Sequence, residues 1–290
     1  MPRVFAVTSG KGGVGKSNFV LNVGISLAMM DTRVQILDAD LGLANLDVLL
    51  GIRPHSTLED VMLGRANLDD IVIKTDYKVN LIPGCSGTQD MADLSQEQIY
   101  NLVKKVKKVS SQADCLLVDT ASGISTGVIS FLMAVPEVIV GVSHEPTSLT
   151  DAYALIKVLK KNGYAGRITM FSSMVKNSKE GHAIYKKISS ASQRFLDTPV
   201  GFLGSVYHDE KLSRAVSDQV PAIVRFPTSN ISRCYRVIAL TLLGQNNVET
   251  DYDKFWARLI SMIMKGSRPK TLKAVSFNGN SDNGSIENTI

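Results

Sequence analysis

Apolar residues along this chain fall into two kinds of stretch. Short, nearly continuous apolar runs occur at Val4–Val7, Arg33–Asp38, Val79–Pro83, Cys115–Asp119, Val138–Val142, Arg167–Val175 and Val200–Val206, and read as strands covered on both faces. Between them lie longer stretches with a helical period: Ser17–Met30, Ser95–Ser111, His144–Lys157, Lys179–Phe195, a segment from about Glu210, and Ser229–Leu243. Ser56–Gly64 and Leu68–Ile73 suggest shorter helices. This alternation predicts an α/β fold: a doubly wound, mostly parallel sheet with right-handed crossovers. After a polar break at Gly244–Thr250, the segment Tyr252–Lys265 sets Phe255, Trp256, Leu259, Ile260 and Ile263 on one helical face, with Lys254, Arg258 and Lys265 around it. From Gly266 the tail is rich in Gly, Ser and Asn and reads as disordered. The expected organisation is a body over 1–246, an amphipathic helix within 247–265 and a tail over 266–290.

The first apolar run leads into Thr8-Ser9-Gly10-Lys11-Gly12-Gly13-Val14-Gly15-Lys16-Ser17. Gly10, Gly15, Lys16 and Ser17 satisfy the phosphate-loop spacing, in the strand–loop–helix setting that the motif requires. Glycines let the backbone curl so that successive N–H groups point into one concavity, and the first helical turn adds unpaired N–H groups. Lys16 would reach the β- and γ-phosphates and the Ser17 hydroxyl would hold Mg²⁺. A purely structural reading, a flexible glycine turn, leaves the lysine and serine unexplained.

Two further strands end in carboxylates. Arg33–Asp38 runs into Asp38-Ala39-Asp40-Leu41-Gly42-Leu43-Ala44-Asn45-Leu46-Asp47, and Cys115–Asp119 into Thr120-Ala121-Ser122-Gly123-Ile124-Ser125. Acids at the C-terminal ends of parallel strands beside a phosphate loop lie where open sheets bind ligands. An apolar strand ending in Asp119 is arranged to meet Mg²⁺ through its waters. Structurally, any of these acids could instead cap the following helix.

Lys11, inside the loop, is a cation that a plain phosphate loop does not need. With it the stretch resembles the deviant Walker A box of the MinD/ParA family of dimerising ATPases, and the resemblance spans roughly residues 1–243. The Leu41–Leu50 stretch, Ser86-Gly87-Thr88-Gln89, Asp119–Ser125 and His144–Lys157 resemble its FlhG/FleN branch, which regulates bacterial flagellar number and placement. The resemblance implies a P-loop NTPase that binds ATP and ADP with Mg²⁺ through Gly10, Lys11, Gly12, Gly13, Val14, Gly15, Lys16, Ser17 and Asn18. It further implies that Lys11 crosses a dimer interface to the partner's nucleotide. Asp40 would orient the attacking water and belong with Ser17 and Asp119 to the Mg²⁺ environment. Asn45 and the Gly123 N–H would lie near the γ-phosphate, and Glu145 would help to contact nucleotide across the interface. The family's base-binding asparagine aligns with Ser173. Its Ile-Pro-x-Asp loop appears as Val206-Tyr207-His208-Asp209, so the base contacts depart from the family pattern. The implied partners are a second copy of the chain, a flagellar transcriptional regulator or assembly proteins, and a membrane through 252–265.

The remaining composition narrows the alternatives. With 290 residues and 44% hydrophobic content the chain can bury a full core. Cys85, Cys115 and Cys234 are few and far apart, which fits a reducing compartment, and no Cys-x-x-Cys pair or zinc spacing occurs. Four histidines show no mutual metal or triad spacing. No apolar run is long enough to span a bilayer and the first strand leaves no room for a signal peptide, so a cytoplasmic protein, at most peripheral at the inner membrane, is expected. The net charge of +5 permits an anionic partner. Its densest cluster, Lys104-Lys105 with Lys107-Lys108, reads as a solvated helix face, and direct DNA binding is not expected. The rival functions are a ParA-like positioning ATPase that coats DNA, which needs a continuous basic strip, and a metabolic P-loop enzyme, for which no substrate or cluster signature is present. The basic amphipathic helix has two readings, an interfacial anchor or a helix packed on the body or a partner. Absence of an Asn-Lys-x-Asp motif favours ATP over GTP.

Overall fold

Along β1 (Arg3–Thr8) the side chains alternate between two cores, Val4 and Ala6 in one, Phe5 and Val7 in the other. The same division runs through β5 (Cys115–Thr120), with Leu116 and Val118 opposite Leu117, and through β6 (Glu137–Ser143), with Val138 and Val140 opposite Ile139. A period of two with both faces covered explains why these strands read as unbroken apolar runs. The computed structural model describes residues 2–40, 44–84, 104–244 and 256–261.

The remaining strands are β2 (Val34–Ala39), β3 (Ile73–Lys74), β4 (Val79–Ile82), β7 (Arg167–Val175) and β8 (Gly201–Tyr207). They form one eight-stranded sheet in the order β3-β4-β2-β5-β1-β6-β7-β8, parallel throughout except for the β3–β4 pair. The helices are α1 (Lys16–Ala28), α2 (Leu46–Leu50), α3 (Leu58–Met62), α4 (Leu68–Ile71), α5 (104–110), α6 (Thr126–Ala134), α7 (Pro146–Lys161), α8 (Ser178–Leu196), α9 (Glu210–Ser217), α10 (Ala222–Arg225), α11 (Asn230–Gly244) and α12 (256–261). Residues of α6, α7 and α8 cover one face, and residues of α1, α10 and α11 the other. The doubly wound parallel architecture expected from the sequence is the one observed.

Strand order places the chemistry. The chain leaves β1 in one direction to build β2 and β4, then returns to insert β5 between β2 and β1, and continues on the far side as β6. The crevice beyond the carboxyl end of β1 is therefore the switch point where such sheets bind ligands. Register sets Asp38 of β2 directly beside Asp119 of β5, and Val7 of β1 beside Asp119. At the opposite end of the sheet, buried Glu137 accepts from Arg3 at 3.0 Å, and Arg3 also donates to the Leu242 carbonyl at 2.6 Å. That contact fixes the end of α11 beneath β1 and β6.

Differences from the sequence reading are local. The helix predicted over Leu68–Ile73 stops at Ile71, and Ile73–Lys74 pairs with β4 instead, as β-branched Val72 and Ile73 favour. Helices α2, α6 and α10 were not expected. In α6, Thr-Gly-Val-Ile-Ser-Phe-Leu-Met-Ala is apolar almost all round and offers no helical period to read. Of the predicted amphipathic helix, 256–261 is described. Trp256 and Leu259 are buried in the layer that holds α7 and α8, with Ile260 packed against it, so these side chains face the body. The rest of that helix, the tail over 266–290, Leu41-Gly42-Leu43 and the Ser86-Gly87-Thr88-Gln89 loop lie outside the described residues. No helix among the described residues is long and apolar enough to cross a membrane.

Candidate phosphate-binding site

The loop after β1 takes the shape that its glycines allow. Gly13 and Gly15 have φ of +77° and +86°, a region costly for any residue with a Cβ. A Cβ at Gly12 or Gly13 would meet nothing within 4 Å, so the bowl is open on that side. Gly15 occupies the cap position of α1 and no side chain caps the helix there, which leaves the first-turn N–H groups turned toward the bowl. The Ser9 hydroxyl donates to the Lys11 carbonyl at 2.6 Å and closes the turn from within.

Distant segments hold the loop from behind. Ser173 at the end of β7 donates its buried hydroxyl to the Val14 carbonyl at 2.8 Å. Phe19 of α1 stacks on Phe171 of β7 with centroids 3.9 Å apart, and Asn22 accepts from the Ile223 N–H at 2.9 Å. Gly10 backs onto α7 so closely that a Cβ would overlap the carbonyl of Asp151. Gly10→Ala is therefore expected to cost about 1–3 kcal/mol of stability, as overpacking does, and to weaken nucleotide binding by displacing the loop. Urea unfolding and calorimetric titration with Mg-ATP check this; unchanged midpoint and affinity would mean that α7 is not seated on the loop.

One ion pair and three hydrogen bonds organise the front. Lys16, nearly buried, donates to the Ser122 hydroxyl at 2.6 Å. Lys11 pairs with the Glu145 carboxylate and donates to the Thr147 hydroxyl at 3.2 Å. Both members of that pair are about half exposed, and solvent screens such pairs so that they add little to stability. Gly123, at φ +95°, donates its N–H to the Ser9 carbonyl at 2.8 Å. The N–H expected near the γ-phosphate is thus engaged with the phosphate loop itself.

The carboxylates gather behind Ser17. Burial pushes the Asp119 carboxyl up to about 7, against the lowering effect of the Ser17 hydroxyl and of Lys16 nearby. Its Oδ1 is buried without a hydrogen-bond partner. Burial likewise raises Asp38 to about 6, opposed by bonds from the N–H groups of Leu46, Asp40 and Asn45. Asp38 thereby holds Asp40, Asn45 and Leu46 beside it. A buried, unsatisfied carboxylate oxygen beside a serine hydroxyl and a loop of N–H groups fits a divalent cation bound together with a phosphate. No cluster of three His, Cys, Asp or Glu among the described residues could hold a metal unaided, so such a cation would complete its shell with phosphate oxygens and water.

The residues expected around a base are brought to one place, at the carboxyl ends of β7 and β8, where Ser173 lies opposite Val206 and Val175 opposite Tyr207. Their side chains have other duties. Ser173 braces Val14, and Asp209 caps α9 by accepting from the Lys211 N–H at 2.9 Å. Asn177 caps α8 in the same way, through the Glu180 N–H at 3.0 Å. Cys115 opens β5, at the end of the strand away from the loop, and burial pushes its thiol up to about 12. Such a group is a poor cluster ligand. Sequence reasoning missed Ser122, Thr147 and Asp151. Ser122 alone carried a local signal, standing one residue before the glycine of the turn after Asp119.

The chain resembles known proteins over this framework. A family model described as "ParA: NUBPL iron-transfer P-loop NTPase" matches residues 1–243. The antiactivator FleN of Pseudomonas aeruginosa is 42% identical over 237 residues, covering 82% of this chain and 85% of the relative. The flagellum site-determining protein YlxH of Helicobacter pylori is 34% identical over 218 residues, covering 75% and 74%. Among solved structures, the septum site-determining protein MinD complexed with Mg-ADP, from Pyrococcus horikoshii, superposes with a TM-score of 0.69 at 25% identity, covering 83% of this chain and 96% of that one.

Proposed function

Because this chain belongs to the ParA/MinD family of P-loop NTPases, we propose that it is an Mg-ATP-driven dimerisation switch that regulates the number or placement of bacterial flagella. The family makes it an ATPase that uses nucleotide with Mg²⁺. The flagellar assignment rests on the similarity to FleN and YlxH. The observation that carries the switch reading is the placement of Lys11. A cation in a phosphate loop would naturally face its own phosphates, yet here it lies against Glu145 and Thr147 at the start of α7.

The residues divide the work by position. Backbone N–H groups from Gly10 to Ser17 grip the phosphates, and Lys16 moves from Ser122 to their β- and γ-oxygens. Ser17 and Asp119 would hold Mg²⁺, which supplies Lewis-acid neutralisation of the charge that develops on the leaving phosphate. Asp40, at the open end of β2, orients the attacking water. Lys11 exchanges its weak bond with Glu145 for the nucleotide of a second subunit, and that exchange couples nucleotide state to pairing. The body over 1–246 would carry these steps. The dimer state would control access of a flagellar regulator or assembly protein; contact with the membrane through 252–265 would require Trp256 and Leu259 to leave the body, where they are buried.

Sedimentation of the wild type and Asp40→Ala, each with Mg-ATP and with Mg-ADP, tests this. Wild type should pair transiently with ATP and be monomeric with ADP. Asp40→Ala should hold the ATP-bound pair and lose hydrolysis by about a hundredfold or more. A monomer insensitive to nucleotide in both proteins would overturn the switch.

A further inference from the structure

One edge of the sheet is left unlike the other. β3 is two residues long and ends in Lys74, the kind of short, charged strand that blunts an edge. β8 at the far end spans seven residues, Gly-Phe-Leu-Gly-Ser-Val-Tyr, pairs among the described residues with β7 alone, and carries neither lysine nor proline. A long, uncharged edge is a liability for a protein unless something uses it.

A cleft of about 340 Å³ runs along that edge, lined by His182 from α8, Phe202, Ser205 and Tyr207 from β8, and Arg233 and Val237 from α11. The two helices belong to opposite layers, Ile184 and Ile188 of α8 in one core and Tyr235 and Ile238 of α11 in the other. A cleft that both helices line therefore lies over the free side of β8. Its apolar wall continues along α11, where Val237, Leu240 and Leu243 are each about half exposed. Its polar side is cationic. Arg233 is exposed and joins no ion pair among the described residues, and none of the lining residues is a carboxylate. Asp209 lies nearby, but its carboxylate caps α9.

We propose that the free edge of β8 docks an extended peptide of a partner protein, with apolar side chains at alternate positions and a carboxylate beside Arg233. The peptide's backbone pairs with β8 and continues the sheet, its apolar side chains enter between α8 and α11, and its carboxylate meets Arg233. A second copy of β8 fits less well. The register with β7 skips Leu203, and Gly204 lies at φ +145°, so two copies would have to match two fixed bends, whereas a flexible peptide can follow one. This surface shares Tyr207 with the expected base-binding end of β8 but takes no residue from the phosphate loop, and it stands whether or not the switch reading holds.

The test pans a phage-displayed library of random dodecapeptides on the full chain, with the double variant Arg233→Glu, Val237→Asp as counter-selection. Synthetic copies of the enriched peptides are then titrated by fluorescence anisotropy. The expected result is enrichment of apolar residues at every second position together with Asp or Glu, and binding at least about tenfold weaker to the double variant. Both substitutions are exposed and lie on α11, outside the phosphate loop, so ATPase activity reports that the variant is folded; if it is not, Arg233→Glu alone takes its place. No enrichment over the variant, enrichment of helically spaced apolar residues, or binding indifferent to both substitutions would overturn the proposal. So would a Val237-dependent dimer in sedimentation, which would assign the edge to a second copy.

Discussion

Without the Lys11 ammonium the protein is expected to remain monomeric at saturating Mg-ATP, and its steady-state ATPase to fall by at least about a hundredfold. The expectation follows from where Lys11 sits. Its pairing with Glu145 is half exposed on both sides and, screened by solvent, is readily given up. A triphosphate presented by a second subunit offers several oxygens and a site from which water is excluded, where charge–charge attraction is stronger. The loop itself has no need of this side chain, since its turn is closed by the Ser9 hydroxyl and supported by Ser173. Lys11→Ala should therefore keep its fold and bind nucleotide as a monomer while losing pairing and turnover together. Sedimentation equilibrium and phosphate release measure the two losses. A Lys11→Ala protein that pairs and hydrolyses normally would remove Lys11 from the mechanism.

Lys16→Ala is expected to fail one step earlier. Lys16 is the nearly buried cation among Asp38, Asp40 and Asp119, and its ammonium lies within reach of the bowl by way of Ser122. Without it the phosphates would enter beside the carboxylates of Asp38, Asp40 and Asp119 with no buried cation to offset them, and affinity for Mg-ATP should fall by about a hundredfold or more. Calorimetry reads the loss directly. The two variants separate the two lysines: Lys16→Ala loses binding, whereas Lys11→Ala keeps binding and loses pairing. Wild-type affinity in Lys16→Ala would mean that the loop is not the nucleotide site.

Much of the site was legible because its parts are local. The phosphate loop is a few consecutive residues in which each glycine answers a backbone requirement, as Gly13 and Gly15 do at positive φ. The strand-end carboxylates Asp38 and Asp119 were legible for a related reason, since an apolar run that stops at an acid marks the end of a buried strand. Assigning side chains to a base was less direct. Ser173 and Asp209 stand at the strand ends where such contacts are made, yet the Ser173 hydroxyl is engaged by Val14 and the Asp209 carboxylate by the Lys211 N–H. Alignment by motif locates a position but not the hydrogen bond that the position makes.

The amino-acid sequence by itself determined the two periodicities, hence the α/β sheet, and the local chemistry of one glycine-rich turn. These depend on neighbours a few residues apart, whose geometry the backbone dictates. Only the tertiary structure decided which distant groups meet. Ser122 reaches Lys16, Ser173 reaches Val14 and Asp151 closes on Gly10 because β5, β6 and β7 assemble around β1 in one order. Strand order likewise left β8 at the edge of the sheet among the described residues, and packing turned Trp256 and Leu259 toward the body. A pattern of apolar residues specifies that a face must be covered; which surface covers it is settled by the packing of the whole chain.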